Sequence, residues 1–358
     1  MADLFDYLDW RGELSFQQVP PNAVDALIFS VLSYIDLHGI VRYDDSHPVP
    51  LHVAATAFLG LGNATDRARV KSDLVLLEKA AASPRFRDVR LAFYRSKLIP
   101  EEETQFAAVT FLLDDGTAFL TFRGTDNTLV GWKEDFNMSF QDSIPAQREA
   151  LAYTEEVALA IPAILRLGGH SKGGNLAVFA AAKTSATIQS RIAEVFNLDG
   201  PGFTDSLMGN AGYIHMVPKI RTYIPESSII GILLEHEEPY TVIRSRQVGA
   251  LQHEPYSWEV MGGSFITKEE ISSGSRFVHR TVKDWISDMS DEDRSTFVDT
   301  MYTLLSAGGA SNVGELLHPK NIQAAFRALN TNEQAKKLLS EEFLEFLKSA
   351  TSVLLNRP

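Results

Sequence analysis

The chain has 358 residues, 45% of them hydrophobic, enough to bury a large core, and its 33 Lys+Arg against 46 Asp+Glu give a net charge of −13. That balance repels phosphate backbones and anionic lipid surfaces, which counts against nucleic acid as a partner. With no cysteine, disulfides, a thiol nucleophile and thiolate-bound metal are excluded, and with no signal-peptide pattern at Met1 to Asp6 and no apolar run of bilayer length, a cytoplasmic protein without an integral membrane segment is expected.

In chain order, Asn22 caps a helix whose Val24, Leu27, Ile28, Val31, Leu32 and Ile35 share one face, with Asp25 at the capping-box position and Gly39 as the stop. Pro50 to Ala82 reads as mainly helical, and its Gly60-Leu61-Gly62 lacks the third glycine and the preceding strand of a dinucleotide site, so no cofactor is expected. Val89 to Leu98 reads as a strand. Phe106 to Leu113 and Ala118 to Arg123 form a hairpin around the turn Asp114-Asp115-Gly116-Thr117. A helix over Gln147 to Ile161 leads into the apolar run Ile164 to Leu167. Further strands are expected at Glu194 to Leu198, Lys219 to Ile224 and Tyr240 to Arg244, an alternation that specifies parallel βαβ units. Beyond Ser275 the pattern is all helical: Ser290 caps a face of Phe297, Met301, Leu304 and Leu305, and a last amphipathic helix carries Leu338, Leu339, Phe343, Phe346 and Leu347.

Between the run Ile164 to Leu167 and the helical Asn175 to Ala181 stands Gly169-His170-Ser171-Lys172-Gly173, a G-x-S-x-G pattern with the strand, tight turn and helix of a nucleophile elbow. Alone, the same five residues also fit a helix start that happens to contain glycine and serine. An acyl-transfer serine needs a base, an acid to orient it and donors for the oxyanion, in the chain order Ser, acid, His. Asp199 follows its strand at the same sheet edge as Ser171, and is either that acid or a turn aspartate capping the next helix. Glu226 is the reserve. Of the histidines after the acid, His215 follows too closely and His236 sits in the run Glu235 to Glu238, which reads as a solvated acidic face. His253, in an irregular segment that can fold over the sheet edge, is the preferred base. His170 points away from such a cleft, towards packing or a hydrogen bond. The backbone N–H of Lys172, at the positive end of the following helix, is one oxyanion donor, and Thr125, through its N–H and hydroxyl, is a candidate for the second. The alternative at Thr125 is an ordinary strand-to-loop turn.

Phe122-Arg123-Gly124-Thr125, then Trp132-x-x-Asp135-Phe136, and later Gly169-His170-Ser171-x-Gly173-Gly174-Asn175-Leu176-Ala177 resemble class 3 lipases over roughly residues 90 to 260. The resemblance implies an α/β-hydrolase fold with a mostly parallel central sheet and helices on both faces. It also implies Ser171 as nucleophile, Thr125 and Lys172 as oxyanion donors, and Asp126 to Asp135 as the lid region. The whole chain, with its opening Phe5-Asp6-Tyr7-Leu8-x-Trp10-Arg11-Gly12, resembles a bacterial lipase-like family from which no firm substrate follows. Two positions depart from the class 3 pattern. The acid expected after the strand Lys219 to Ile224 is missing, because the chain reads Ser228-Ile229-Ile230-Gly231 there, which leaves Asp199 as the acid. Lys172 replaces an apolar residue, and a charge beside the cleft counts against a wide apolar mouth.

The expected organisation is a helical N-terminal segment packed on the core (1–87), an α/β-hydrolase core (88–265) and a helical C-terminal subdomain (266–358). The expected activity is that of a serine esterase or lipase-like hydrolase, acting on a small acyl ester or lipid-like substrate through Ser171, His253 and Asp199. An amidase, thioesterase or acyltransferase on the same fold, or a retired hydrolase-fold binding protein, are the alternatives.

Overall fold

A computed structural model describes residues 2–126, 129–138, 141–228, 230–232, 234–272, 276, 291–309, 320–321, 323–324 and 327–328. The strands are β1 (Val49–Pro50), β2 (Arg90–Ile99), β3 (Thr104–Leu112), β4 (Ala118–Phe122), β5 (Leu165–His170), β6 (Ile192–Leu198), β7 (Ile220–Pro225), β8 (Tyr240–Ile243), β9 (Val260–Met261), β10 (Ser264–Phe265) and β11 (Thr267–Lys268). Among the described residues, nine of these form one sheet in the order β1-β2-β3-β4-β5-β6-β7-β8-β11, while β9 and β10 make a separate hairpin. The pairs from β4 to β8 are parallel, and the flanking pairs are antiparallel. This is an α/β-hydrolase fold.

The helices used below are α1 (Leu4–Arg11), α2 (Ala23–Leu32), α3 (Leu51–Leu59), α4 (Lys71–Ala82), α5 (Leu129–Asn137), α6 (Pro145–Ala160) and α7 (Lys172–Lys183). Parallel strands that follow one another in both sequence and space need crossovers of one hand, which sends their helices to one face of the sheet. Helices α6 and α7 accordingly share a core with Ala108, Leu120, Phe122, Leu165 and Val195. The opposite face belongs to the N-terminal helices. There α2 lies across β4, β5 and β6, and Val109, Phe111, Phe119, Phe196 and Leu198 meet Leu27, Phe29 and Phe86. Alternate residues of one strand enter different cores, Phe119 one and Leu120 the other, as the two-residue period of a strand dictates. Each fully buried aromatic contributes about 1.5–3 kcal/mol.

Asn22 caps α2 through the N–H groups of Val24 and Asp25, and the Asp25 carboxylate returns to the Asn22 N–H, so the capping box forms. The helix stops at Leu32, well short of Gly39. Ser30 and Ser33 donate their hydroxyls to the carbonyls of Ala26 and Ser30, and Tyr34 and Ile35 close three-residue turns that tighten the end. Buried Asp25 is neutralised by Arg85 at 2.6 Å and accepts from the Tyr7 hydroxyl at 2.7 Å, which locks α1, α2 and the segment after α4 together.

Towards the C-terminus, the helix Asp291–Ser306 packs on α5, where Lys133 pairs with Asp299 at 2.7 Å and Leu304 is buried. Ser290 and the expected helix at 338–347 lie outside the described residues. Among the described residues, no helix is long and apolar enough to cross a membrane.

Candidate active site

Strand β5 ends at His170, and Ser171 occupies the turn into α7 with φ 60° and ψ −136°, a backbone region that side chains rarely adopt. Glycines make the turn possible. A Cβ on Gly169 would fall 2.2 Å from the carbonyl carbon of Gly173, and one on Gly173 would fall 2.0 Å from the Phe122 carbonyl oxygen. The Ser171 N–H donates to the Leu198 carbonyl at 2.9 Å, which fixes the turn to the end of β6.

The residue that follows that strand, Asp199, also has positive φ, 55°, and its N–H donates to the Tyr223 carbonyl of β7 at 2.9 Å. Its fully buried carboxylate accepts from His253 Nδ1 at 2.6 Å through Oδ2 and from the Ser228 hydroxyl at 2.5 Å through Oδ1. Ser171, Asp199, Ser228 and His253 therefore follow β5, β6, β7 and β8 in turn, all at the carboxyl edge of the parallel strands. The position where an acid was expected after β7 holds Ser228, whose hydroxyl steers the carboxylate supplied by β6. Gly231 keeps the remaining space open, since a Cβ there would lie 2.2 Å from Asp199 Oδ1. The Gly231 N–H in turn donates to the Ser228 hydroxyl at 2.9 Å. Glu226, the reserve acid, is paired with Lys268 at 3.3 Å.

His253 ends a short 3-10 turn, Gly249–His253, held on both sides. The side chain of Gln252 accepts from the Ser227 N–H at 2.7 Å, and the Trp258 indole donates to the Gln252 carbonyl at 2.8 Å. The side chain of His253 keeps 28% of its exposure, whereas Asp199 keeps none. The imidazole is thus part-exposed while its orienting partner stays out of water.

Two expectations are corrected. The run around His236 is solvated only in part, since Glu237 is exposed while the side chains of His236 and Glu238 are buried. Glu238 is buried and accepts from the Tyr213 hydroxyl at 2.5 Å, the Thr222 hydroxyl at 2.7 Å and His236 Nδ1 at 3.0 Å, and these donors hold its carboxyl below the ordinary range against the opposing effect of burial. His236 Nε2 lies 2.8 Å from the Gly231 carbonyl, so it braces the turn that carries Ser228. Lys172, too, places no charge at the cleft. Its ammonium is fully buried, 2.8 Å from Glu134 and within hydrogen-bond reach of the Gln105 carbonyl and side chain.

Thr125 follows β4 and sits beside the elbow, for a Cβ on Gly124 would meet Ser171 Cβ at 3.1 Å. Its hydroxyl is committed to Asp135, at 2.7 and 2.6 Å from the two carboxylate oxygens, so the backbone N–H is what it can offer an oxyanion. The N–H of Lys172, the first residue of α7, is the other candidate. Of the expected lid region, residues 127–128 lie outside the described residues. Its end is anchored, because Glu134 accepts from the N–H groups of Gln105 at 3.2 Å and Ala146 at 2.9 Å.

Burial pushes the Asp135 carboxyl from 3.8 up to about 6, helped by neighbouring Glu134 and opposed by Lys172, Thr125 and His253. The folded protein therefore binds that proton more tightly than the unfolded chain. The stability this contributes is complete below pH 3.8 and lost as pH rises through about 6. Asp135→Asn, which carries no charge to desolvate, should gain thermal stability relative to wild type between pH 5 and pH 7.5. Melting curves at the two pH values check this, and an equal difference at both contradicts it.

Among the described residues, no cluster of His, Asp and Glu is grouped as a metal site. Sequence reasoning passed over Ser228, Asp135 as the partner of Thr125, and the Glu134–Lys172 pair. A hydroxyl standing where an acid was expected was the one available signal for Ser228.

The Mbeg1-like family model matches residues 80–303, more than half of the chain. The chain belongs to the Mbeg1-like family. Solved structures similar to this Mbeg1-like chain include a Rhizomucor miehei lipase–propeptide complex (16% identity, 54% of this chain and 66% of that chain, TM-score 0.36). A mutant form of MDLA from Penicillium cyclopium (13%, 70% and 86%, 0.40) and M37 lipase (12%, 91% and 98%, 0.36) are similar at the same level. The chain thus spans just under two thirds of the Rhizomucor lipase. No curated protein matches it.

Proposed function

We propose that this Mbeg1-like protein is a serine hydrolase that cleaves acyl esters. The observation that carries the reading is the 2.6 Å contact between Asp199 and His253 at the sheet edge where Ser171 sits in a strained turn. Asp199 accepts a hydrogen bond from the Nδ1–H of His253, which keeps the proton on Nδ1 and leaves Nε2 to act as the base. His253 takes the Ser171 proton as Oγ attacks the acyl carbon, and the backbone N–H groups of Thr125 and Lys172 bind the oxyanion. The intermediate expels the alcohol, protonated by His253, and leaves an acyl-serine. Water, deprotonated by the same imidazole, then attacks the acyl carbon, and as the acyl–Oγ bond breaks His253 returns the proton to Ser171 Oγ and the carboxylic acid leaves.

A small acyl ester or lipid-like molecule in a bacterial cytoplasm is the proposed substrate, and the helices within 1–87 and the helix Asp291–Ser306 are proposed to shape the acyl side of the cleft. Hydrolysis of a series of p-nitrophenyl esters of graded chain length tests the reading. One or more should turn over, with loss of at least about a thousand-fold in Ser171→Ala. Turnover unaffected by Ser171→Ala would overturn it.

A further inference from the structure

His170 is buried one residue before the candidate nucleophile, and its two ring nitrogens have different partners. Nδ1 lies 3.0 Å from the Tyr34 hydroxyl and Nε2 lies 2.8 Å from the carbonyl oxygen of His253. A carbonyl only accepts, so Nε2 must carry the proton. Burial, then the neighbouring His253 and Arg69, hold His170 well below the usual imidazole range, so the ring is neutral and Nδ1 must accept. Only a hydroxyl at residue 34 completes that arrangement.

The residue after His253 is held from the same side. Arg69 donates from its two terminal nitrogens to Glu254 at 2.9 and 3.0 Å, and its guanidinium lies 4.8 Å over the ring of Tyr34. Tyr256 donates its hydroxyl to Asp73 of α4 at 2.8 Å. Contacts therefore run in a closed circuit from Tyr34 through His170 to the His253 carbonyl, along the chain to Glu254, and back through Arg69. Tyr34 also stands at the junction of the elbow and the segment after β4, since a Cβ on Gly124 would fall 2.2 Å from its hydroxyl oxygen and 2.5 Å from the His170 carbonyl oxygen. The rest of this helical cover meets the sheet with apolar side chains such as Leu27 and Phe29, which bury area without fixing direction. Here the contacts are directional, and they end on the backbone of residue 253 and the side chain of residue 254.

We propose that Tyr34 and Arg69, acting through His170 and Glu254, are positioning residues that set His253 relative to Ser171. Two residues that precede the family-matched region, one just after α2 and one just before α4, thus complete the site, an inference that rests on the hydrolase reading above.

Tyr34→Phe removes one oxygen and keeps the ring. In the full-length protein, kcat for a p-nitrophenyl ester should fall roughly ten-fold with KM unchanged, the effect of losing one buried hydrogen bond. Arg69→Gln should act in the same direction. In a His253→Ala background, Tyr34→Phe should change the residual rate by less than about two-fold, because the group it positions is gone. Merely structural damage lowers both backgrounds by the same factor, and that result overturns the proposal. So does a Tyr34→Phe variant with wild-type kcat when hydrolysis by the parent depends on Ser171. A parent without Ser171-dependent turnover overturns the hydrolase reading and the proposal together.

Discussion

Asp199→Asn should lower turnover about 10³- to 10⁴-fold in a protein that still folds. The carboxylate accepts from both His253 and Ser228. An amide can turn its NH₂ towards the ring, so that Nδ1 becomes the acceptor and the proton moves to Nε2, where the base function is lost. Glu226→Gln serves as the comparison, since Glu226 pairs with Lys268, and it should change turnover little. Kinetics on a p-nitrophenyl ester, with circular dichroism of both variants, decide the point. A drop of less than about ten-fold for Asp199→Asn would remove Asp199 from the role proposed for it.

Glu134→Ala is expected to destabilise the protein by about 3 kcal/mol, because it removes the nearer counter-charge of the fully buried Lys172 ammonium and leaves only Asp135, at 3.9 Å. The same change strands the backbone N–H groups of Gln105 and Ala146, which have Glu134 as their acceptor. Urea denaturation measures the loss. Adding Lys172→Leu should recover part of it by removing the poorly compensated charge, and a single variant within about 1 kcal/mol of wild type would contradict this account of the pair.

Strands β2 to β8 were legible in the sequence because their signals are local: the alternation in β4, glycines around Ser171, and strand-then-turn chemistry at Leu198-Asp199-Gly200 all lie within a few residues, whereas the two-residue edge strands β1 and β11 are too short to show a period. The end of α2 was misplaced because the apolar spacing continues to Ile35, while serine hydroxyls bonded to backbone carbonyls end the helix at Leu32. Charge was the least legible property. His236 and Lys172 looked like surface groups, yet the side chain of each is buried beside a carboxylate, Glu238 two residues further along and Glu134 brought from α5. Polarity along a chain carries no record of such partners. Tyr34 and Arg69 were invisible for the same reason, since the contacts of Tyr34 with His170 and of Arg69 with Glu254 span well over a hundred residues. By contrast, the place of Asp199 at the carboxyl edge followed from strand order alone.

The account depends on Ser171 being an activated nucleophile. Reaction of the full-length protein with a fluorophosphonate probe, followed by mass mapping of the adduct, tests this most directly. Stoichiometric modification of Ser171, absent in Ser171→Ala and much slower in His253→Ala, is the expected result. Folded wild-type protein that takes up no label, or takes it up on another residue, would contradict the account.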